Sequence, residues 1–308
     1  MHRVARLSPS ITVPYEKERM LPRSLWFRLY WFGTLVGAWA LCRGQMLIGL
    51  KRLLLPVGYW RYPAFAVTYA ALAPRRPRRI LDVGSPKLLA LYLASTFPCR
   101  VYATDIQDPA IRTMWQRYFD ALPRGMRQGY CGMEFQDGRC LAYADNSFDA
   151  AFSLSVLEHI PDDGDSRTMA EIGRVLRPGG LAVIEVPYDH KMRDTYLAAD
   201  VYERRYAGAP VFYQRHYDQV TAQQRLIAPS GLELEQMIVV GERIPFERYW
   251  EALPDLAKVP GLGVACLASL FNHCVVMADE EADDRLSGRR RAMSLTLVLR
   301  KPAMEGEA

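Results

Sequence analysis

The sequence predicts an α/β fold: a doubly wound, mostly parallel, seven-stranded sheet with an antiparallel last strand. An N-terminal helical extension precedes it, and a hydrophobic insert interrupts it before the last strand. Three observations predict this. From Arg78 onward, short apolar runs alternate with helical segments, the pattern of a parallel sheet covered on both faces. The chain is 308 residues long, 50% hydrophobic and 24% charged, an ordinary globular balance with enough chain for a sizeable core. Finally, the charge is uneven. Residues 1–79 hold 14 Lys or Arg against Glu16 and Glu18, a net +12, which leaves −7 on the rest of a +5 chain.

Residues 1–22 read as an irregular arm broken by Pro9 and Pro14. Residues 24–56 read as helical, with Trp26, Tyr30, Trp31, Trp39, Leu47 and Leu50 among the apolar positions, although Gly33, Gly37, Gly44 and Gly49 weaken one continuous helix. A helix over 60–73 ends at Pro74-Arg75-Arg76-Pro77. The extension is therefore assigned to residues 1–77.

The sheet domain is assigned to 78–240 and 293–302. Its strands are expected at Ile80–Gly84, Val101–Asp105, Met133–Gln136, Ala150–Leu154, Leu181–Val186, Leu232–Val240 and Met293–Arg300. Helices are expected at Leu88–Ser95, Asp108–Phe119, Arg167–Leu176 and Thr221–Ala228, the third stopped by Pro178-Gly179-Gly180. The insert, 241–292, is about fifty residues long, more than an ordinary connection. It holds the apolar stretch 261–278 and a charged stretch from Asp279 to Arg291.

Composition narrows the function classes. The six cysteines form no CxxC pair and no zinc-type spacing, and read as reduced thiols of a cytosolic protein. The first twenty residues lack a signal-peptide core. The apolar run Leu29–Cys42 is 14 residues long, short of the roughly 20 that span a bilayer. The expected location is cytoplasmic, with peripheral contact at the inner face of the membrane as an extension of that reading. A basic, Trp-rich segment suits an anionic partner surface, lipid or nucleic acid.

The chemistry is expected beyond the C-terminal strand ends, where ligands bind in doubly wound sheets. The first strand ends in Asp82-Val83-Gly84-Ser85-Pro86 and the second in Asp105. Gly84 lets backbone approach a ligand, and a carboxylate about twenty residues later can accept ribose hydroxyls. Pro86, Leu88 and Leu89 leave no glycine run to cradle a pyrophosphate, so a ligand with a ribose and no pyrophosphate fits better.

The segment Gln136–Ile160, QDGRCLAYADNSFDAAFSLSVLEHI, followed by Arg174-Val175-Leu176-Arg177-Pro178-Gly179-Gly180, resembles the methyltransferase type 11 group of class I S-adenosylmethionine (SAM)-dependent methyltransferases. The resemblance covers about residues 78–190. It implies a Rossmann-like fold, SAM as cofactor and methyl transfer. By that resemblance Asp82, Gly84 and Ser85 line the methionine end of the cofactor. Asp105 holds the ribose. Asp137 accepts the adenine amino group, with Gly138 and Arg139 as neighbours. Ser153 and Leu154 face the sulfonium. The chain departs from the family where further glycines usually follow Gly84.

Methyl transfer from a sulfonium needs alignment and exclusion of water, and an oxygen nucleophile of high pKa also needs a base. His216, His159 and His190 are the candidates. Some ubiquinone-pathway relatives carry Glu-x-x-Glu-His where this chain has Ser155-Val156-Leu157-Glu158-His159. The missing first carboxylate leaves a poor divalent site, so no metal is expected. The acceptor is expected to be a small-molecule or lipid-like compound methylated at oxygen. RNA methylation is the alternative, disfavoured because no Asn/Asp-Pro-Pro-aromatic segment closes the fourth strand. A non-catalytic SAM-binding scaffold on membranes is the third reading. The two apolar additions form a lid, an oligomer interface or a membrane platform.

Overall fold

A computed structural model describes residues 23–106, 109–122, 124–199, 206–244, 246, 268–269, 271–276 and 291–303. Helix α1 (Arg23–Cys42) buries Leu25, Leu29, Phe32 and Val36, spaced three or four apart along one face. The expected helical segment 24–56 is in fact two helices. Gly44 takes φ +76°, and α2 (Met46–Leu54) packs against α1. Helix α3 (Tyr62–Leu72) closes the extension, and Arg76 turns left-handed before Pro77.

The sheet contains β1 (Arg79–Val83), β2 (Arg100–Asp105), β3 (Tyr130–Phe135), β4 (Phe148–Leu154) and β5 (Leu176–Pro187). It also contains β8 (Glu233–Glu242), β9 (His273–Val276) and β10 (Arg291–Arg300), in the order β3-β2-β1-β4-β5-β10-β8-β9. Strands β1 to β5 run parallel, and β10 is antiparallel to both β5 and β8. These include all seven expected strands in a Rossmann-like, mostly parallel arrangement. The eighth, β9, comes from within the insert and pairs antiparallel at the edge of β8.

Helices α4 (Leu88–Thr96), α5 (Pro109–Ala121) and α6 (Gly164–Val175) connect the strands. A further helix, α7, runs through Gln219–Ala222, a π-turn at Gln223–Ile227 and Ala228–Ser230.

Two features differ from expectation. Strand β5 starts at Leu176, so Pro178-Gly179-Gly180 lies inside the extended segment; Leu176 pairs with Phe148, and the Gly179 amide donates to the Lys301 carbonyl. A hairpin of β6 (Arg193–Ala199) and β7 (Tyr206–His216) forms a separate two-stranded sheet. Its second strand carries Gly208 and Pro210 and no clean alternation of apolar and polar residues, so periodicity could not reveal it.

Each sheet face has its own core. One gathers Leu81, Phe148, Met169, Ile172, Ile184, Tyr217 and Leu297. The other joins Leu89, Leu93, Val101 and Phe152 to Leu25, Leu29, Phe32 and Phe65 of α1 and α3. The N-terminal helices thus share a continuous apolar core with the sheet. They also reach the insert. Trp26 Nε1 donates to Ser269 Oγ at 2.7 Å, Asn272 Nδ2 donates to the Tyr59 hydroxyl at 2.6 Å, and that hydroxyl donates to Glu242 at 2.7 Å. The insert residues Leu262, Val264, Leu267 and Leu270 lie outside the described residues.

No described helix is long and apolar enough to cross a membrane. Trp26, expected among interfacial aromatics, is buried and stacks on Tyr30 at 3.8 Å. Trp31 remains 67% exposed.

Candidate cofactor and acceptor site

The C-terminal ends of β1, β2 and β4 are tied together by short-range hydrogen bonds. Gly84 has φ +72°, and a Cβ there would sit 2.8 Å from Val156 Cγ1. Glycine is required both for the turn and for the approach of the β4 loop. The Ser85 amide donates to Asp82 Oδ1 at 3.0 Å, and Ser85 Oγ accepts from the Leu154 amide at 2.9 Å. Ser153 Oγ donates to the Val83 carbonyl at 2.9 Å. The serines predicted at positions 85 and 153 thus join the loop after β1 to the end of β4.

Between the first two acidic strand ends lies a cation that sequence reasoning missed. Lys87, 6% exposed at its side chain, places Nζ 3.5 Å from Asp82 Oδ2 and 3.3 Å from Asp105 Oδ2. It also donates to the Thr104 carbonyl at 2.9 Å. Burial pushes the Asp82 carboxyl up and the Lys87 ammonium pulls it back down. Lys87 stands in the loop where the family's later glycines are replaced, and that replacement was the available signal.

Asp137 follows β3 in a bridge with Cys140. Its carboxylate takes a bidentate pair from Arg139, with Nη2 at 2.7 Å and Nε at 3.0 and 3.1 Å, and also the Arg139 amide at 2.9 Å. The Arg139 bonds hold the carboxyl below its ordinary range. Gly138 is tightly fitted: a Cβ there would lie 2.9 Å from Thr168 Cγ2 and 3.0 Å from Val83 Cγ1. The Gln136 amide donates to the Asp105 carbonyl at 3.4 Å, joining the second and third strand ends. Asp82, Asp105 and Asp137 therefore line successive strand ends along one edge of the sheet.

Ser153 and Leu154, expected to face the sulfonium, close β4. Both side chains are fully buried, Leu154 in the apolar core. The first partly accessible side chain at that strand end is Ser155. It donates to Glu185 Oε2 at 2.7 Å. Glu185 and Glu158 are buried, at 4% and 2% exposure. Burial pushes both carboxyls up, and Glu185 raises Glu158 further. Arg61 of the extension opposes both shifts. Sequence reading could not have found Glu185 or Arg61, because nothing in their spacing links them to Glu158.

The three histidines are placed differently. His159 closes the short turn Leu157–His159; its Nδ1 lies 2.7 Å from the Tyr213 carbonyl and its Nε2 3.6 Å from Glu158. Burial holds it below the usual imidazole range. His216 ends β7, with Nε2 3.3 Å from Gln214. His190 follows β5 with its ring edge-on to Tyr188 at 5.7 Å. The Tyr188–Tyr217 bridge brings the segments of His190 and His216 together, whereas His159 belongs to the β4 side. Among the described residues no three His, Cys, Asp or Glu side chains cluster as metal ligands.

Known proteins are similar to parts of this chain. Residues 81–184 match the family Methyltransf_11, described as a methyltransferase domain. The chain is 28% identical over 158 residues to O-methyltransferase cnsE of Penicillium expansum, covering 46% of this chain and 55% of that protein. It is 28% identical over 147 residues to O-methyltransferase resE of Aspergillus sclerotiorum, covering 43% and 53%. The chain thus spans about half the length of these curated relatives. A solved structure of 1,6-didemethyltoxoflavin-N1-methyltransferase from Burkholderia thailandensis is 18% identical, covers 94% of each chain and has a TM-score of 0.46. Residues 81–184 are thus similar to the methyltransferase domain of the type 11 family.

Proposed function

We propose that this protein transfers a methyl group from SAM to an oxygen of a small-molecule acceptor. One observation carries the reading: within a matched methyltransferase domain, three carboxylates stand on successive strand ends beside a glycine that a side chain cannot replace. Asp82, Gly84 and Ser85 would meet the methionine end, Asp105 the ribose, and Asp137 with Gly138 and Arg139 the adenine. SAM supplies an activated methyl group, so the chain's own residues align the acceptor, keep water out and accept a proton. The relatives named O-methyltransferases support oxygen as the methylated atom. His159, His190 and His216 are the candidates for orienting or deprotonating the acceptor. Calorimetric titration of SAM into the purified protein tests the reading. Binding is expected, and no heat and no protection from thermal unfolding would refute it.

A specific observation favours a further contact. Phe27, Trp31, Met46, Leu50, Leu53 and Leu54 of the α1–α2 hairpin are exposed on the strongly basic N-terminal segment. That combination suits a peripheral contact with an anionic lipid surface, and a lipid-like acceptor with it. Co-sedimentation with anionic vesicles tests it. Binding that Trp31→Glu weakens is expected, and no binding at low salt would refute the contact.

A further inference from the structure

Ser155 holds a left-handed backbone, with φ +51°, where β4 ends. Glycine occupies such positions more easily, and strained side-chain-bearing residues cluster at functional sites. The side chain at this position has a specific partner. Ser155 Oγ donates to Glu185 Oε2 at 2.7 Å, while its amide donates to the Glu185 carbonyl at 3.0 Å. Glu185 lies on β5 in register with Leu154, so it flanks the same strand end as the residues assigned to the cofactor. Three residues beyond Ser155, Glu158 buries an Oε2 that has no hydrogen-bond partner among the described residues.

Titratable groups among the described residues face this pair. His159 Nε2 lies 3.6 Å from Glu158 Oε1, Arg61 acts on both carboxyls, and Tyr217 faces Glu158. Ser294 of β10 is a second hydroxyl donor to Glu185. Both carboxyls are buried and Glu185 raises Glu158, so the two do not both ionise readily and the pair titrates as one unit.

We propose that Ser155, Glu185 and Glu158 form a proton-accepting relay for the acceptor hydroxyl, with Ser155 as the catalytic residue and the two glutamates positioned behind it. This rests on the methyl-transfer reading. The acceptor oxygen bonds to the methyl carbon as the carbon–sulfur bond breaks, and that electron pair stays on sulfur. The acceptor proton passes to Ser155 Oγ, whose own proton moves onto the Glu185 carboxylate. Glu158 keeps the other proton of the pair, so only one carboxylate is charged before transfer and none after it. The proton leaves to water once the product has gone.

Infrared titration of the full-length protein between about pH 5 and about pH 9 tests the relay without an acceptor. A protonated-carboxyl band is expected at neutral pH and should vanish in Glu158→Gln. In Ser155→Gly, which also relieves the backbone, the pair's midpoint should rise by about one pH unit, because the hydroxyl favours ionised Glu185. Calorimetric SAM affinity should stay within about twofold in each variant, since these residues lie outside the cofactor contacts. With a panel of phenols as probe acceptors, Ser155→Gly and Glu185→Gln should lower kcat by about 10²-fold on the least acidic phenols and less on acidic ones. A wild type with no protonated band, a midpoint unmoved by Ser155→Gly, or equal kcat in both proteins would overturn the relay. If the wild type methylates no phenol, the infrared result decides. Loss of SAM binding by the wild type itself would instead refute the methyltransferase reading.

Discussion

Lys87 offers the sharpest perturbation of the cofactor edge. Its ammonium lies 3.3 Å from Asp105 and 3.5 Å from Asp82, with the lysine side chain 6% and the Asp82 side chain 0% exposed. Lys87→Met preserves the stem and removes the charge. It leaves Asp82 buried beside Asp105 without its cation. Breaking a buried pair by removing one partner costs about 3–5 kcal/mol; Asp105 keeps some solvent contact, so the lower end, about 3 kcal/mol, is expected at pH 7. The pH dependence has a definite sign. Burial already raises Asp82 in the folded protein, and Lys87 holds it down. Without Lys87 the folded carboxyl rises further above its unfolded value and binds a proton that the unfolded chain releases. The variant should therefore be closest to wild type near the unfolded carboxylate pKa and lose stability as pH rises toward the folded value. Urea unfolding at several pH values measures this. In an Asp82→Asn background the cost of Lys87→Met should shrink, giving a coupling energy of about 1–3 kcal/mol. A cost under about 1 kcal/mol at pH 7, typical of a solvent-screened pair, would refute the reasoning.

Other perturbations test separate links. Asp105→Ala should weaken SAM binding more than about tenfold, because each charge-assisted bond to ribose is worth about 1.5–3 kcal/mol; calorimetry reads the affinity, and unchanged binding would remove Asp105 from the site. Asp165, fully buried beside Arg215, Arg225 and the Tyr217 hydroxyl, anchors α6 to the hairpin and to α7. Asp165→Asn should cost about 3 kcal/mol in urea unfolding at pH 7. Burial works against the Asp165 charge, but its bonds to Arg225 and Tyr217 outweigh it and lower the carboxyl pKa; this stability should be present above the unfolded carboxylate pKa and fade as pH falls through the folded value. Gly84→Ala should both destabilise the fold and weaken SAM, since the Cβ meets Val156 in a left-handed turn; a fully stable variant with normal affinity would show that the β4 loop yields. His159→Ala should lower kcat if the ring orients the acceptor, with SAM affinity unchanged, and a rate equal to wild type would confine His159 to holding the turn against Tyr213.

Local patterning was enough for much of the sheet. Ile80–Gly84, Val101–Asp105, Ala150–Leu154 and Leu181–Val186 are short apolar runs, and each forms a strand of the buried parallel sheet, which accommodates such runs. The acidic strand ends at Asp82 and Asp105, the carboxylate Asp137 just beyond β3, and the Gly84 turn were legible for the same reason: the first strand-to-helix connections fix where ligand-facing residues fall. Pairing decided the rest. The β6–β7 hairpin and β9 exist through partners distant in sequence, and their own composition does not announce a strand. The N-terminal helices read as a basic extension ahead of the sheet, and pairing made Leu25, Leu29 and Phe32 part of one core of the sheet and brought Trp26 to Ser269 of the insert. Lys87 between two carboxylates, and Ser155 against Glu185, follow from side-chain directions that only the packed strands set. Sequence spacing specifies which residues share a strand end, whereas the distance between charges on neighbouring strands, and so their protonation, belongs to the tertiary structure.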